Sequence, residues 1–500
     1  MILYLLGMYS KIKVHDKLLH HFIKDHFLLI LLIAIATFLR VYQLNTHGIF
    51  FFDAGHDLLA AHQALQDGRL PLVGITSSRP WLHQGPVTIW IEMLIMLFFG
   101  TSTLAQHIVF ALIGIAAVIG LYELVTVHFS RKAAYYAVAL LSVFPLAVAN
   151  SRYPYHTTSI PLATVLYLWM LVSLWNKFTI KRLLFLLFSG ILLFQFELCN
   201  APLLALIPYV FWRRGYSVNK KVLLVAAGAT FFGLLPQLLF PLFGGTNQVI
   251  EFAKWFIVQV LERLQGGTNT MSNFGNTLQA FWVFGGRVFG VDVPTISIIG
   301  FASICAASVW IIYKMYKKES VPPLIELALL GLWILVAAYF VAGPPSEAYF
   351  PPFFICIPII LSYALVSLQK KLQIFTTTLL LLYMGFSIYS IFAAQFFVMN
   401  NREFQYDSVG EQRAITKAIA LRTNNSAYQL RTLEGAERQF PAFFEHIAWL
   451  SIEEKLPLPG AEGKVYYLAK NSDPQPPETI LIRRFPTKTL YWDPTGTQTK

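Results

Sequence analysis

Acidic side chains are scarce in this sequence. Its 500 residues hold 26 Asp and Glu against 38 Lys and Arg, and charged residues make up only 13% of the chain. Of the acidic residues, 12 follow position 396, which leaves 14 for everything before it. That is too few to solvate the surface of a soluble body of that size. Cysteine is rarer still: Cys199, Cys305 and Cys356 lie in or beside apolar runs without metal-ligand spacing, so neither a zinc site nor a disulfide framework is implied. A basic stripe is also missing. The +12 formal charge comes in short clusters between apolar runs, which argues against a nucleic-acid partner. What is abundant is apolar: 56% hydrophobic residues and a mean hydropathy of +0.57. The fold class read from this is a mainly α, polytopic membrane protein with a small soluble α/β tail.

The basic start is followed by an apolar run from Phe27 that lacks a small-residue cleavage site, and it reads as an uncleaved signal anchor. Runs of spanning length follow at 104–127, 133–150, 157–175, 182–198, 200–212, 221–243, 293–313, 322–342, 350–368 and 372–398. If the shorter run 86–100 lies along the interface, every basic cluster falls on one side: Lys11 to Lys24, Arg131–Lys132, Lys177 to Arg182, Arg213 to Lys221, Lys314 to Lys318 and Lys370–Lys371. The expectation is about 11 spans, counting the one at 27–44, with the N-terminus cytoplasmic. The membrane domain then covers 1–398, with external loops at 45–103 (with interfacial helices), 151–157, 244–292 and 343–349, and an external α/β domain at 399–500. The tail shows helical patterns at 408–421 and 439–450 and strand-like runs VYYLAK and TILIRRF.

Most of the unusual polar chemistry sits in those external loops. In IFFFDAGHDLLAAHQALQDGRLP, Asp53 stands at an N-cap position and Gly68 at a stop, and Asp53, His56 and Asp57 share one helix face. Asp53 reads as a cap, as a functional carboxylate, or as both. His56 and Asp57 read as a wetted face or as site residues. Arg79, His83 and Gln84 precede the Gly-Pro that opens the next helix, where Glu92 sits in an apolar stretch and is either functional or turned to the aqueous loop. Arg152 and Tyr153 follow the third span, and the Arg is either a snorkelling anchor or a bidentate phosphate ligand. Glu197 ends the fifth span, where an unpaired charge is expensive. The Gly/Asn-rich 244–292 loop, with Arg287, has the length of a lid, and Glu347 and Tyr349 open the tenth span, with Tyr349 also readable as an aromatic-belt residue.

These residues resemble the GT-C superfamily of polytopic glycosyltransferases, specifically glycosyltransferase family 39, which includes protein O-mannosyltransferases and lipid A aminoarabinose transferases. DAGHD is similar to an Asp-x-x-x-Asp variant of the family's first-loop acidic motif, with Asp53 in place and Ala54 where a second acid is usual. DGRLPLVGITSS, GPVTIW, Phe99–Gly100, SRYPYHTTSIP and EAYFPPFFICIP resemble later segments in order and spacing, while FQFELC departs by carrying Glu197 where similar bacterial sequences have His.

The resemblance implies transfer of a sugar from a polyprenyl-phosphate donor to a hydroxyl on a protein, lipid or glycan acceptor, at the external face of the cytoplasmic membrane and with inversion. Asp53 and Asp57 are then the catalytic carboxylates. Arg152, Arg79 and Arg287 are donor-phosphate ligands, and His56, His83, Gln84, Glu197, Tyr153, Glu347 and Tyr349 bind substrate. A divalent metal ion near the carboxylates is compatible with the resemblance, although no ligand spacing demands one.

Two other classes compete. A secondary transporter suits many spans, but the chain has no repeat across two halves, and its acids gather at the loops and not at a bilayer midplane. A lipid-linked oligosaccharide ligase or polymerase would centre on a large late loop, against which the first-loop Asp argues.

Overall fold

The computed structural model describes residues 16–50, 53–77, 81–264, 270–290, 294–342, 345, 349–393, 408–424, 426–432, 443–460, 462–471, 473–486 and 488–495. Among these, five helices are long and apolar enough to cross a membrane: Thr103–His128, His156–Asn176, Thr295–Tyr316, Pro323–Val341 and Leu372–Phe392. Ser102, Ser130, Thr179 and Asn219 each cap a helix by accepting from the backbone N–H three residues on.

Two helix pairs, Arg131–Val143 with Pro145–Ser151 and Lys220–Gly233 with Leu235–Phe243, are bent by 65° and 68° and raise the count to 7 if each pair crosses once. Pro145 and Pro236 explain the bends, because each lacks an N–H and crowds the preceding turn. Length and composition therefore support five to seven of the eleven expected spans. The run 200–212 departs most, starting as a 3-10 helix Leu198–Ala205 that contains Pro202 and turning α only at Leu206–Arg214. The apolar helices His26–Val41, Val87–Phe99 and Phe353–Leu368 are shorter.

The expected lid loop is in fact two amphipathic helices, Gln248–Leu264 and Thr270–Arg287. Of the glycines that suggested a loop, Gly244, Gly245, Gly266 and Gly267 stand ahead of and between the two helices, while Gly275, Gly285 and Gly286 lie within the second. Phe256 and Ile257 on the first helix are about half exposed, as an apolar face turned to lipid would be.

At the C-terminal end, helices Val409–Thr423 and Phe443–Glu453 pack on a sheet of β1 (Tyr428–Thr432), β2 (Lys464–Lys470), β3 (Ile480–Arg484) and β4 (Lys488–Asp493). The strand order is β1-β2-β4-β3, with β1 and β2 parallel and the other pairs antiparallel. The expected runs VYYLAK and TILIRRF correspond to β2 and β3; β1 and β4 were not anticipated. Ile415, Ile419, Tyr466, Leu468 and Leu490 fill the core of this module.

The helix Ala54–Asp67 does not lie free on a membrane surface. Ala54, Leu58 and Ala61 are packed in one apolar cluster with Phe50, Tyr155 and, from the C-terminal module, Val409, Trp449 and Leu450. The apolar face of this helix is thus enclosed between the helix bundle and the module.

Candidate active site

Asp53 occupies the N-cap position of Ala54–Asp67 at φ −82° and ψ 5°, and Gly68 ends that helix at φ 61°, as the sequence suggests. The Asp53 side chain nevertheless makes no cap bond. Instead the Tyr155 hydroxyl donates to Asp53 Oδ2 at 3.3 Å. The capping role expected of this carboxylate is therefore absent, and it faces the 151–157 loop. Burial first, then Tyr153, Asp53, Glu197 and Asp57, push the Tyr155 phenol well above its ordinary pKa, so it remains a donor.

Asp57, one turn on, is 1% exposed, and its Oδ1 has no hydrogen-bond partner among the described residues. Burial and then Asp53 raise its carboxyl well above the usual range. Glu92 is fully buried, with neither oxygen partnered among the described residues, and its carboxyl is raised by burial and then by Asp57. Burial and a neighbouring carboxyl thus favour the neutral form of both Asp57 and Glu92.

A second cluster abuts the first. Glu197 Oε1 accepts from Gln84 Nε2 at 2.9 Å and from Cys199 N at 3.3 Å, while Oε2 lies 3.1 Å from His156 Nε2. Gln84 Oε1 in turn accepts from Leu198 N at 3.0 Å. The unpaired charge that made Glu197 expensive in sequence is thus fully satisfied. The His156 ring rests on Tyr155 at 3.9 Å, and Tyr155 stacks on Tyr153 at 4.6 Å. Asp53, Tyr155, His156, Glu197 and Gln84 form one continuous line.

Gln84 and His83 reach it on a hairpin closed by Gly74 N to Gln84 O and Ser77 N to Leu82 O. Gln248 Oε1 accepts from His83 N at 2.7 Å, which ties the amphipathic helix Gln248–Leu264 to the hairpin. Burial and the facing His56 hold the His83 imidazole below its ordinary value, against the Gln248 hydrogen bond. His56 itself is exposed. Tyr349 O accepts from the Tyr339 hydroxyl at 2.7 Å, and the two rings lie 6.3 Å apart.

Arg152 is a correction. Its Nη1 donates to Leu39 O at 3.1 Å and Arg40 O at 3.2 Å, and Nη2 donates to His47 O at 3.3 Å. Helix ends leave carbonyls unsatisfied, and a buried guanidinium fork can serve several at once. Arg152 therefore caps the helices Asp16–Val41 and Leu44–His47, contacts that differ from the donor-phosphate contact expected of it. Arg287 closes the helix Thr270–Arg287 and is 7% exposed. Arg79 and Glu347 lie outside the described residues.

The sequence places Tyr155 and His156 in the same short loop as Arg152 but suggests no role for either. Nothing in their spacing distinguishes them, since their partners Asp53 and Glu197 are 102 and 41 residues away. Among the described residues no group of three or more His, Cys, Asp or Glu side chains is placed to hold a metal ion.

Residues 83–240, which include Gln84, Arg152, Tyr155, His156 and Glu197, match the model of the dolichyl-phosphate-mannose-protein mannosyltransferase family. Among solved structures, ArnT from Cupriavidus metallidurans bound to undecaprenyl phosphate superposes with a TM-score of 0.54 at 11% identity, covering 94% of this chain and 99% of that one. The archaeal oligosaccharyltransferase AglB from Archaeoglobus fulgidus, in complex with an inhibitory peptide and a dolichol-phosphate, gives 0.51 at 15% identity over 90% of this chain and 70% of its own. No curated protein matches the chain by sequence. At these identities the structural likeness is one of fold. The GT-C, family 39-like resemblance read from the loop motifs is borne out, as is the mainly helical membrane body with a small C-terminal sheet.

Proposed function

We propose that this chain is a membrane glycosyltransferase that moves a sugar from a polyprenyl-phosphate carrier to a hydroxyl acceptor at the external face of the cytoplasmic membrane. The observation that carries the reading is Asp53. It is a half-buried first-loop carboxylate held through one oxygen by Tyr155, backed by the buried acids Asp57 and Glu92, in a chain of GT-C fold.

The acceptor oxygen attacks the anomeric carbon as the bond from that carbon to the phosphate oxygen breaks, so the configuration inverts. The acceptor proton passes to Asp53, and the electron pair of the broken bond leaves on the lipid phosphate. Asp57, whose carboxyl is raised by burial and by Asp53, flanks Asp53 one helical turn on and does not serve as a second base. Arg79 and Arg287 are the proposed phosphate ligands, and His56, His83, Gln84, Glu197, Tyr153, Glu347 and Tyr349 the proposed lining of the donor and acceptor sites. The solved ArnT structure with undecaprenyl phosphate supports a lipid-linked donor.

The test is sugar transfer by the purified chain in lipid nanodiscs supplied with polyprenyl-phosphate sugars, with release of polyprenyl phosphate measured. Asp53→Asn keeps the shape but accepts no proton, and its transfer should fall by at least about 100-fold. Near wild-type transfer by that variant overturns the mechanism.

A further inference from the structure

The residues after 408 lie outside the matched family segment, and nothing in their sequence points to a task. Their contacts do. Gln412, fully buried, donates from Nε2 to Phe50 O at 2.8 Å, and Val409 N donates to Gly48 O at 3.1 Å. The His446 ring lies against Phe50 at 4.6 Å with the planes 34° apart. At Gly55 a Cβ would stand 2.8 Å from His446 N and 2.9 Å from the Glu445 carbonyl carbon, so the module's backbone presses on the start of the Asp53 helix where only glycine fits. On the far side, Glu453 accepts from Thr103 N at 2.9 Å and from Thr103 Oγ1 at 2.8 Å, which fixes the module to the head of a membrane helix.

Phe50 and Gly55 bracket Asp53. The first turn of a helix has unsatisfied N–H groups and frays unless something holds it, and the Asp53 side chain does not cap its own helix. We propose that the C-terminal module is a clamp that sets the position of Asp53, with Gln412 and His446 as its positioning residues. Acid–base catalysis is sensitive to displacements of about 1 Å, so a loosened clamp costs turnover before it costs donor binding. This assignment rests on the proposed role of Asp53 for its activity readout and on contacts alone for its structural one.

The test uses the full chain in nanodiscs with Gln412→Leu, which keeps volume and removes the donor, and His446→Ala. Hydrogen–deuterium exchange is followed at residues 48–57, and kcat and donor KM are followed with a polyprenyl-phosphate sugar. Exchange of the 48–57 amides should speed up at least about tenfold, kcat should fall about tenfold, and donor KM should stay within about twofold. Gly55→Ala approaches the same contact from the loop side and should give the same split if a tail variant fails to fold.

Faster exchange with unchanged kcat, or a change confined to KM, overturns the clamp. Should the wild type show no transfer at all, the exchange arm decides alone, and unaltered protection of 48–57 in the variants overturns it. Activity surviving in Asp53→Asn would discredit the mechanism and leave the exchange result standing.

Discussion

The Tyr155 hydroxyl donates to Asp53 Oδ2 across 3.3 Å, so one oxygen of the proposed base is held by a phenol that stacks on Tyr153 and touches His156. Tyr155→Phe removes the donor and keeps both ring contacts. The expected outcome is a fall in kcat of roughly tenfold, the worth of one hydrogen bond to a charged group, with protein stability changed by less than about 1 kcal/mol. Steady-state kinetics beside thermal unfolding checks this. A variant that unfolds earlier but turns over normally would make Tyr155 a packing residue only.

The buried carboxyls give a pH dependence with a definite sign. Asp57 is raised by burial and Asp53, and Glu92 by burial and Asp57. In the unfolded chain both ionise near ordinary values of about 4. The native state therefore keeps protons that the unfolded state has released once the pH exceeds that value. Their stabilising contribution is fully present below about pH 4 and is lost as pH rises through the raised native values. Asp57→Asn and Glu92→Gln, each close in shape to the neutral acid, should flatten this loss and raise the unfolding temperature near pH 8. Unfolding followed from pH 5 to 9 in one detergent is the measurement, and an unaltered slope would mean that both acids are ionised and paired in the native protein.

Arg152 supplies a prediction against its sequence reading. With its guanidinium on the carbonyls of Leu39, Arg40 and His47, Arg152→Ala leaves buried acceptors bare and should destabilise the fold by about 2–4 kcal/mol. Arg152→Lys should recover little, because an ammonium lacks the planar fork. Donor KM, measured at a temperature where the variant is folded, should stay within about threefold. A large rise in donor KM without loss of stability would restore the phosphate role.

What the sequence shows of Arg152 and Asp53, and what only the structure adds, is a matter of range. Hydropathy and the basic clusters are local signals averaged over many residues, so the membrane body was visible in them. Asp53 stood out because an acid between Phe50–Phe52 and a helix start is locally anomalous. Arg152 was equally anomalous, but what decides its role is three carbonyls more than 100 residues upstream, which no spacing reveals. The same holds for Gln412 and His446, and for the bond from His156 to Glu197, whose partners lie far along the chain. The loop expected at 244–292 is helical over most of its described length for another reason: its apolar residues recur at helical spacing even where glycines interrupt them.

The Glu197 cluster yields the last prediction. Its two oxygens receive three donors, Gln84 Nε2, Cys199 N and His156 Nε2, whereas a glutamine has one acceptor oxygen. In Glu197→Gln the amide oxygen keeps Gln84 and Cys199 if the NH₂ turns to His156. The imidazole must then accept at Nε2 and carry its proton on Nδ1, a buried atom without a partner among the described residues. Leaving that N–H unsatisfied costs about 1–3 kcal/mol. If instead the oxygen turns to His156, the Gln84 amide is orphaned at a similar cost, so no orientation escapes it. Unfolding of Glu197→Gln should show that loss, and a double-mutant cycle with His156→Ala should return a coupling of at least about 0.5 kcal/mol. Because the His156 ring supports Tyr155, and Tyr155 holds Asp53, kcat should fall along with stability. Additive single and double mutants would break the line from Glu197 to Asp53 at its first link.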